Sequence, residues 1–423
     1  MGAWRTRAIL AAGLIGLVVW AIAGQFHADT PPIRIRRAQA DAVGVDAAGK
    51  LGFKQAPRWK VLPTIDGEGG VRQAFVWREL GRQTYEQVIG RDLVPPSWHI
   101  RIASFSGDVA ERAEEFIADV RGDGTLMRVR RQLPQDRAGA SLDEAGARAI
   151  AERALHDRLQ VEASALREVS ALSSKLKNRI DWTFTYKDPA QPVLAKGERR
   201  IAVVVSGDQA TDAYRFVFVP EDWERSYRGT RGLLQVFRIV RNLLIALIVV
   251  SAASLTIMAW TRGAFPVGFA LRFFAIYAVL GWVAAFNNWP GVEAGLSTAQ
   301  PYNLQVTITG IVIGLVYLVI SALMAVLAGG ANLQLGGTGS SAQRRAMMGI
   351  AAGALVAGIV TLLQRVGGDP APRWGAVNAA ETTLPLLGEP LRPRRRSCSA
   401  AASCSRCSFW FTSSRPAGPS GRS

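Results

Sequence analysis

Histidine and cysteine are scarce in this chain, and their placement excludes more than their number does. The three cysteines, Cys398, Cys404 and Cys407, all stand close to the C-terminus. Everything before them folds without a disulfide in whatever compartment it occupies. Cys404 and Cys407 make a C-x-x-C, but no second pair and no neighbouring histidine completes a zinc site. The three histidines, His27, His99 and His156, all lie in the first part of the chain. Beyond Arg241 the only acidic residues are Glu293, Asp369, Glu381 and Glu389. The second half therefore offers no set of imidazoles and carboxylates for metal or acid–base chemistry. No catalytic, cofactor-binding or metal-ligating residue is assigned anywhere in the chain.

Charge is present in excess but is unevenly spread. The formal net charge is +17 and the pI near 10.6. No helix-turn-helix pattern, zinc-finger spacing or aromatic RNA-binding box accompanies it, so nucleic acid is not an expected partner. Arginine bordering membrane spans accounts for such a surplus. Most of the charge precedes Arg241 and most long apolar runs follow it, so the 423 residues divide into a soluble half and a membrane half.

Ile9 to Ala23 is an uncharged apolar run preceded by Arg5 and Arg7. It reads as an N-terminal anchor (residues 1–24), while Ala21-Ile22-Ala23 keeps open a cleavable signal peptide. In either case the two arginines hold the N-terminus in the cytoplasm and send the following domain across the membrane. Four later runs are apolar enough to span: Leu243–Trp260, Phe273–Val292, Val306–Ala328 and the Gly/Ala-rich Met347–Leu363. Together they predict a helical membrane domain over 233–363. Arg262 and Arg272 flank one loop and Arg344-Arg345 sit in another, whereas Asn287 to Gln305 holds no Lys or Arg. That alternation predicts an extracytoplasmic large domain and a bilayer as first partner. Arg238 and Arg241, on the outer side of the second span, oppose the trend; they are expected to snorkel or to pair with Glu221 or Glu224. Trp4, Trp20, Trp260 and Trp289 stand at span ends, where tryptophan anchors the interface. Asn287-Asn288 reads as a cap, and Gly329-Gly330 with Gly336-Gly337 as a flexible loop without phosphate-loop features.

Residues 25–49, with Pro31-Pro32, read as a linker. Patterned α+β sequence follows over 50–232. Trp98–Phe105 alternates like a strand, Val109–Ile117 reads as a helix with Glu114-Glu115 on its solvated face, and Gly122-Asp123-Gly124 marks a turn before a strand at Thr125–Arg131. Ser141-Leu-Asp-Glu144 has capping-box spacing and opens a helix through Leu159. Strand-like stretches recur at Arg167–Ser173, Asp181–Tyr186, Arg200–Val205 and, after a Gly207-Asp208 turn, Tyr214–Val219. Two similar α+β units are therefore expected, with helices packed on antiparallel sheet. The expected fold class is an α+β extracytoplasmic domain plus a multi-span α-helical membrane bundle.

The strings Asp181-Trp-Thr-Phe-Thr-Tyr186, Arg200-Ile-Ala-Val-Val-Val-Ser-Gly-Asp208 and Tyr214-Arg-Phe-Val-Phe-Val-Pro-Glu-Asp-Trp-Glu-Arg225 resemble the region before the membrane core in CPBP (CAAX-protease and bacteriocin-processing) intramembrane metalloproteases. The α+β units resemble PepSY-type modules. The resemblance covers roughly Trp98 to Leu327. It implies a bacterial inner-membrane protein, a membrane or envelope protein or peptide as substrate, and a divalent metal such as zinc in an intact member. The family's E-E-x-x-x-R and histidine helices have no match: Glu114-Glu115 is followed by Phe-Ile-Ala-Asp119, and no histidine follows His156. The resemblance thus implies a truncated, inactive form, and the other expectation is a non-enzymatic binding or sensor protein acting through its outer domain.

From Arg392 the composition turns abruptly to Ser, Cys, Ala and Arg, after a Pro/Gly-interrupted stretch at 364–391 that reads as an interfacial segment. Three readings of the 392–423 tail stay open: a disordered end, a basic lipid-binding tail, or a frameshift. With one choice of G/C-ending codons, Ser403-Cys-Ser-Arg-Cys407 read two bases later encodes Val-Leu-Ala-Leu, a span-like sequence.

Overall fold

The computed structural model describes residues 3–24, 29–67, 70–106, 108–109, 113–189, 194, 196–263, 265–336, 341–366 and Pro372. His27, Asp369, Glu381, Glu389, the three cysteines and the basic tail lie outside them, as do Gly337 and all of 364–391 except 364–366 and Pro372.

Among the described residues the strands form two four-stranded antiparallel meanders. The first sheet runs β1 (Trp59–Asp66), β2 (Ser97–Ser104), β3 (Glu115–Val120), β4 (Leu126–Gln132); the second runs β5 (Arg167–Lys175), β6 (Ile180–Lys187), β7 (Glu198–Ser206), β8 (Gln209–Phe218). A helix precedes each: α2 (Arg37–Lys50) and α5 (Glu144–Leu159). The period-two pattern explains the cores. Trp98, Ile100 and Ile102 pair with Val120, Ala118 and Phe116 and bury one face of the first sheet against α2. Phe184, Ile201, Val203 and Val205 do the same against α5. Each Val, Ile or Phe among them contributes about 1.5–3 kcal/mol on burial.

The helix α2 corrects the linker reading of 25–49. Its buried face is Ala40, Gly44, Ala47 and Ala48, small residues that leave little hydrophobic periodicity in the sequence yet bring the helix close to the sheet. The chain before it is also tied down: Arg34 and Ile35 donate to Gly122 O at 2.8 and 3.0 Å. A Cβ on Gly122 would stand 2.5 Å from Pro32 O, so the β3–β4 turn needs glycine for this approach. A second correction concerns Val109–Ile117, which holds the start of β3 and no described helix. Its Ala/Glu/Arg composition favours helix, but pairing with β2 prevails. At α5 the N-cap is Asp143, which accepts from Gly146 N at 2.9 Å, in place of the expected Ser141 box.

The β1–β2 connection carries α3 (Val71–Phe75), a π-turn at Val76–Leu80 and α4 (Gly81–Val88). Phe75, Val76, Tyr85, Val88 and Leu93 form a third core with Val217 and Val219 from the end of β8. This insert clamps the second unit to the first. At the seam between β4 and β8, Arg128 forms a two-pronged ion pair with Asp212.

A helix of 41 residues, α6 (Glu221–Thr261), leaves β8 and carries the chain into the apolar half. Its first turns are held by Phe75 against Trp223 at 5.1 Å. Among the described residues four helical segments are long and apolar enough to cross a membrane: Thr6–Ala23 in α1 (Ala3–Ala23), Val267–Asn287 (α7), Tyr302–Gly330 in α9 (Tyr302–Gly336) and Ala346–Leu363 in α10 (Ala342–Val366). The Leu243–Trp260 run falls inside α6, whose described apolar part is Val249–Met258. Outward-facing Leu271, Ile276, Leu280 and Val319 are more than half exposed, the surface expected of helices in lipid.

Helices α1 and α10 run parallel. Gly13 meets Ala351, Gly16 meets Leu355, and Arg365 reaches the carbonyls of Ile22 and Ala23. A Cβ on Gly358 would sit 2.3 Å from Gly16 O, so these backbones touch where only glycine fits. In α7 and α9, Gly281 receives the Tyr317 ring and Gly314 receives Trp282.

Candidate functional site

The sequence assigned no site residue; among the described residues, the structure joins the first sheet to the loop between two apolar helices through a buried ion pair. Arg101 on β2 and Glu115 on β3 are 14 residues apart in sequence and diagonal neighbours across the β2–β3 ladder. The guanidinium forks onto the carboxylate, Nε to Oε2 at 3.0 Å and Nη2 to Oε1 at 2.6 Å. Its remaining nitrogen, Nη1, donates to Ala294 O at 3.0 Å and Leu296 O at 2.8 Å. Those carbonyls end α8 (Trp289–Ala294), the short helix between α7 and α9. A cation at a helix C-terminus satisfies carbonyls that have no partner within the helix.

The side chains of Arg101 and Glu115 are only 16% and 6% exposed, so the pair is largely withdrawn from water. This overturns the reading of Glu114-Glu115 as a solvated helix face. Glu114 is also engaged, accepting from Arg131 at 2.6 Å and lying 2.9 Å from Arg137. Glu293, expected in a neutral outer loop, is half-buried and accepts from Trp289 Nε1 and Tyr302 OH, both at 2.8 Å. Gln305 completes the loop, bonding Ser297 N, Ser297 O and Gln300 O.

Beside this dock opens a cleft of about 580 Å³ between the starts of β1 and α9. Its walls are aromatic and basic. Phe105 meets Tyr302 edge-on at 5.3 Å, Lys60 stands 5.0 Å above the Tyr302 ring, and Arg58 stands 5.4 Å from the Trp59 ring. Cation–ring contacts of this kind leave the cation free to meet an anionic group on its other side.

The remaining singled-out residues lie elsewhere. His99 pairs with Asp119 and His156 with Glu162, each at 2.7 Å, on separate elements. Glu224 accepts from Arg228, and Asp222 from Arg225 at 2.7 Å. The side chains of Arg238 and Arg241 are outside the described set. Asn287 is buried and Asn288 caps the end of α7. Among the described residues no group of three His, Cys, Asp or Glu side chains comes together in a way that would hold a metal ion. The arrangement ties the sheet to this loop: Arg101 on β2 holds the carbonyls directly, and Glu115 on β3 orients its guanidinium. Comparison of the chain with family models, with curated proteins and with solved structures returns no match.

Proposed function

We propose that the protein is a non-enzymatic, membrane-anchored binding or sensor protein whose double α+β domain lies on the extracytoplasmic face of a bacterial inner membrane. The observation that carries this is the Arg101 fork, which joins a buried pair inside the first sheet to the loop between two membrane helices. A domain tethered only by α1 and α6 needs no such joint; a domain that reports its state to the bundle does. The orientation is supported by the parallel course of α1 and α10, which brings their arginine-flanked N-termini to one side, away from α8. The repeated order of a helix and a meander supports the likeness to PepSY-type modules.

The partner class is an acidic peptide segment of a membrane or envelope protein, taken up in the junction cleft by Arg58, Lys60 and the aromatic walls. The test places a photo-crosslinking amino acid at Asn303 in cells. An adduct to a protein that disappears in Arg58→Glu/Lys60→Glu supports the reading. Adducts to lipid alone, or protein adducts indifferent to the charge reversal, overturn it.

The second reading is a CPBP-type intramembrane metalloprotease, favoured by the strings that fall on β6, β7 and the β8–α6 passage. The outer domain would then present substrate to a membrane active site. That chemistry needs the glutamate pair and the histidine helices, so this reading holds only where the gene supplies them. Resequencing from the codons of Pro385 onward decides it.

A further inference from the structure

At the opposite end of β1 from the junction, a second cleft of about 200 Å³ opens at the β4–β8 seam. Five arginines line it, Arg72, Arg91, Arg128, Arg130 and Arg215, against two aspartates. Most of the negative charge is already taken. Asp119 is held by His99, and Asp66 caps its own turn by accepting from Gly67 N at 2.7 Å. Arg128 is neutralised by Asp212 and lies 3.8 Å from the Tyr214 ring. Arg215, 14% exposed, donates to Leu159 O at 3.2 Å and approaches Asp188 only to 3.9 Å. Among the described residues the side chains of Arg91 and Arg130 have no hydrogen-bond or ion-pair partner.

Folding places these groups deliberately. Register aligns His99, Asp119 and Arg128 in one row of the first sheet, with Arg130 two residues along β4 on the same face. The insert contributes Arg72 and Arg91, and β8 of the second unit contributes Arg215. Burial, and after it the charge of Arg91, lowers the affinity of Arg215 for its proton. Like charges gathered in a half-closed space repel, and a bound anion relieves that repulsion.

We propose that this cleft is a binding site for a small soluble oxyanion of the phosphate class, gripped by Arg91 and Arg130 with Arg215 beneath. Guanidinium forks match the paired oxygens of such groups, and the volume admits one tetrahedral oxyanion with a few waters but not a nucleotide. The source is soluble and not the bilayer on which the domain stands. Trp59 lines the junction, and Asp66, seven residue steps farther along β1, lines this cleft, at roughly 3.3 Å per step about 23 Å away; Arg130 shares the row of Leu62 and Arg101 but stands at the far edge of the sheet, three strands from β1. The inference is independent of the junction reading, since it uses other residues and another ligand. Because the cleft is walled by both units, an anion held there stiffens the seam between them.

The experiment is isothermal titration of the full chain in zwitterionic detergent at low and physiological salt with inorganic phosphate, citrate, and vesicles containing phosphatidic acid. Saturable phosphate binding is expected, weakened about tenfold or more in Arg91→Gln/Arg130→Gln, a change of about 1.4 kcal/mol or more. Arg153→Gln, on the exposed face of α5, is expected to bind as the parent does. The double variant removes two cations that make no ion pair among the described residues and repel the arginines beside them, so its melting temperature without ligand is expected at or above the parent value and rises less on adding phosphate. Absence of saturable phosphate binding, binding unchanged in the double variant, preference for citrate, or binding only to phosphatidic-acid vesicles overturns the proposal.

Discussion

In the first α+β unit, α2 lays Ala40, Gly44, Ala47 and Ala48 on its sheet; in the second, α5 lays Ala147, Ala151, Ala154 and Leu155 on its own. Strand order is the same in both. The differences lie in what has been added to the frame. The first unit interrupts its β1–β2 connection with α3 and α4, while the second closes β5–β6 with a short turn. The first withdraws the Arg101–Glu115 pair between its second and third strands, and the second leaves Lys187–Glu198 in the equivalent place 43% and 31% exposed. One frame thus serves as a docking piece and the other as a partner clamped to it. Small helix faces and alternating strands build the unit; insertions and buried charge make it specific.

The largest break in the comparison is expected at the insert. Phe75 is fully buried against Val217 and Val219 and meets Trp223 edge-on. Phe75→Ala is expected to cost about 3–5 kcal/mol and to loosen the second unit and α6 together, because the cavity opens on both. Hydrogen exchange should show protection falling in β8 and the start of α6 while β2 and β3 hold. Protection lost equally across both sheets would mean that the insert is no separate clamp.

Charge is the next contrast. Glu115→Ala strands the guanidinium of Arg101 in a poorly hydrated place, at a cost of about 3 kcal/mol, the lower edge of the range for buried pairs because two carbonyls still hold it. The matched change Glu198→Ala is expected to cost at most about 1 kcal/mol. The hydrogen bonds from Lys187 and then Arg200 hold the Glu198 carboxyl below its ordinary value. Its contribution is therefore present above about pH 4.3 and is lost as pH falls through the lowered folded value. Denaturant unfolding of the two variants at neutral pH, and of Glu198→Ala against the parent into acid, measures both. Equal losses would erase the distinction between a buried and a solvated pair.

Strands β2 and β4 to β8 were legible because each alternates, helped by the turn signals Gly122-Asp123-Gly124 before β4 and Gly207-Asp208 between β7 and β8. The membrane helices were legible for want of charge. Three features were hidden for physical reasons. Ala and Gly on α2 carry almost no hydrophobic signal, so a buried helix read as a linker. The Ala/Glu/Arg composition before Phe116 reads as a helix, and only pairing with β2 makes Glu115, Phe116 and Ile117 a strand. The dock itself joins Arg101 to carbonyls about 194 positions away, and only β2–β3 register with the placement of α8 brings them together. An arginine and a glutamate 14 apart offer no local pattern from which to infer a pair.

The smallest contrast is between the two helices. The acids of α5, Glu144, Glu152 and Asp157, are exposed, whereas Asp41 on α2 is half-buried and its Oδ1 has no hydrogen-bond partner. Burial pushes Asp41 up to about 6, against the pull of Arg37. For an acid raised in this way the folded state binds more protons than the unfolded state between about pH 4 and pH 6. Stability therefore rises as pH falls through that window, and above it the charged carboxylate works against the fold. A shift of about two units corresponds to about 3 kcal/mol at most, and partial access to water reduces this to about 1–2 kcal/mol. Asp41→Asn is expected to gain that amount at neutral pH and to lose the advantage by about pH 4, where both residues are neutral. Chemical denaturation at several pH values reads the difference. A gain independent of pH would show that the cost lies in packing and not in charge, and α2 would then match α5 in kind as well as in position.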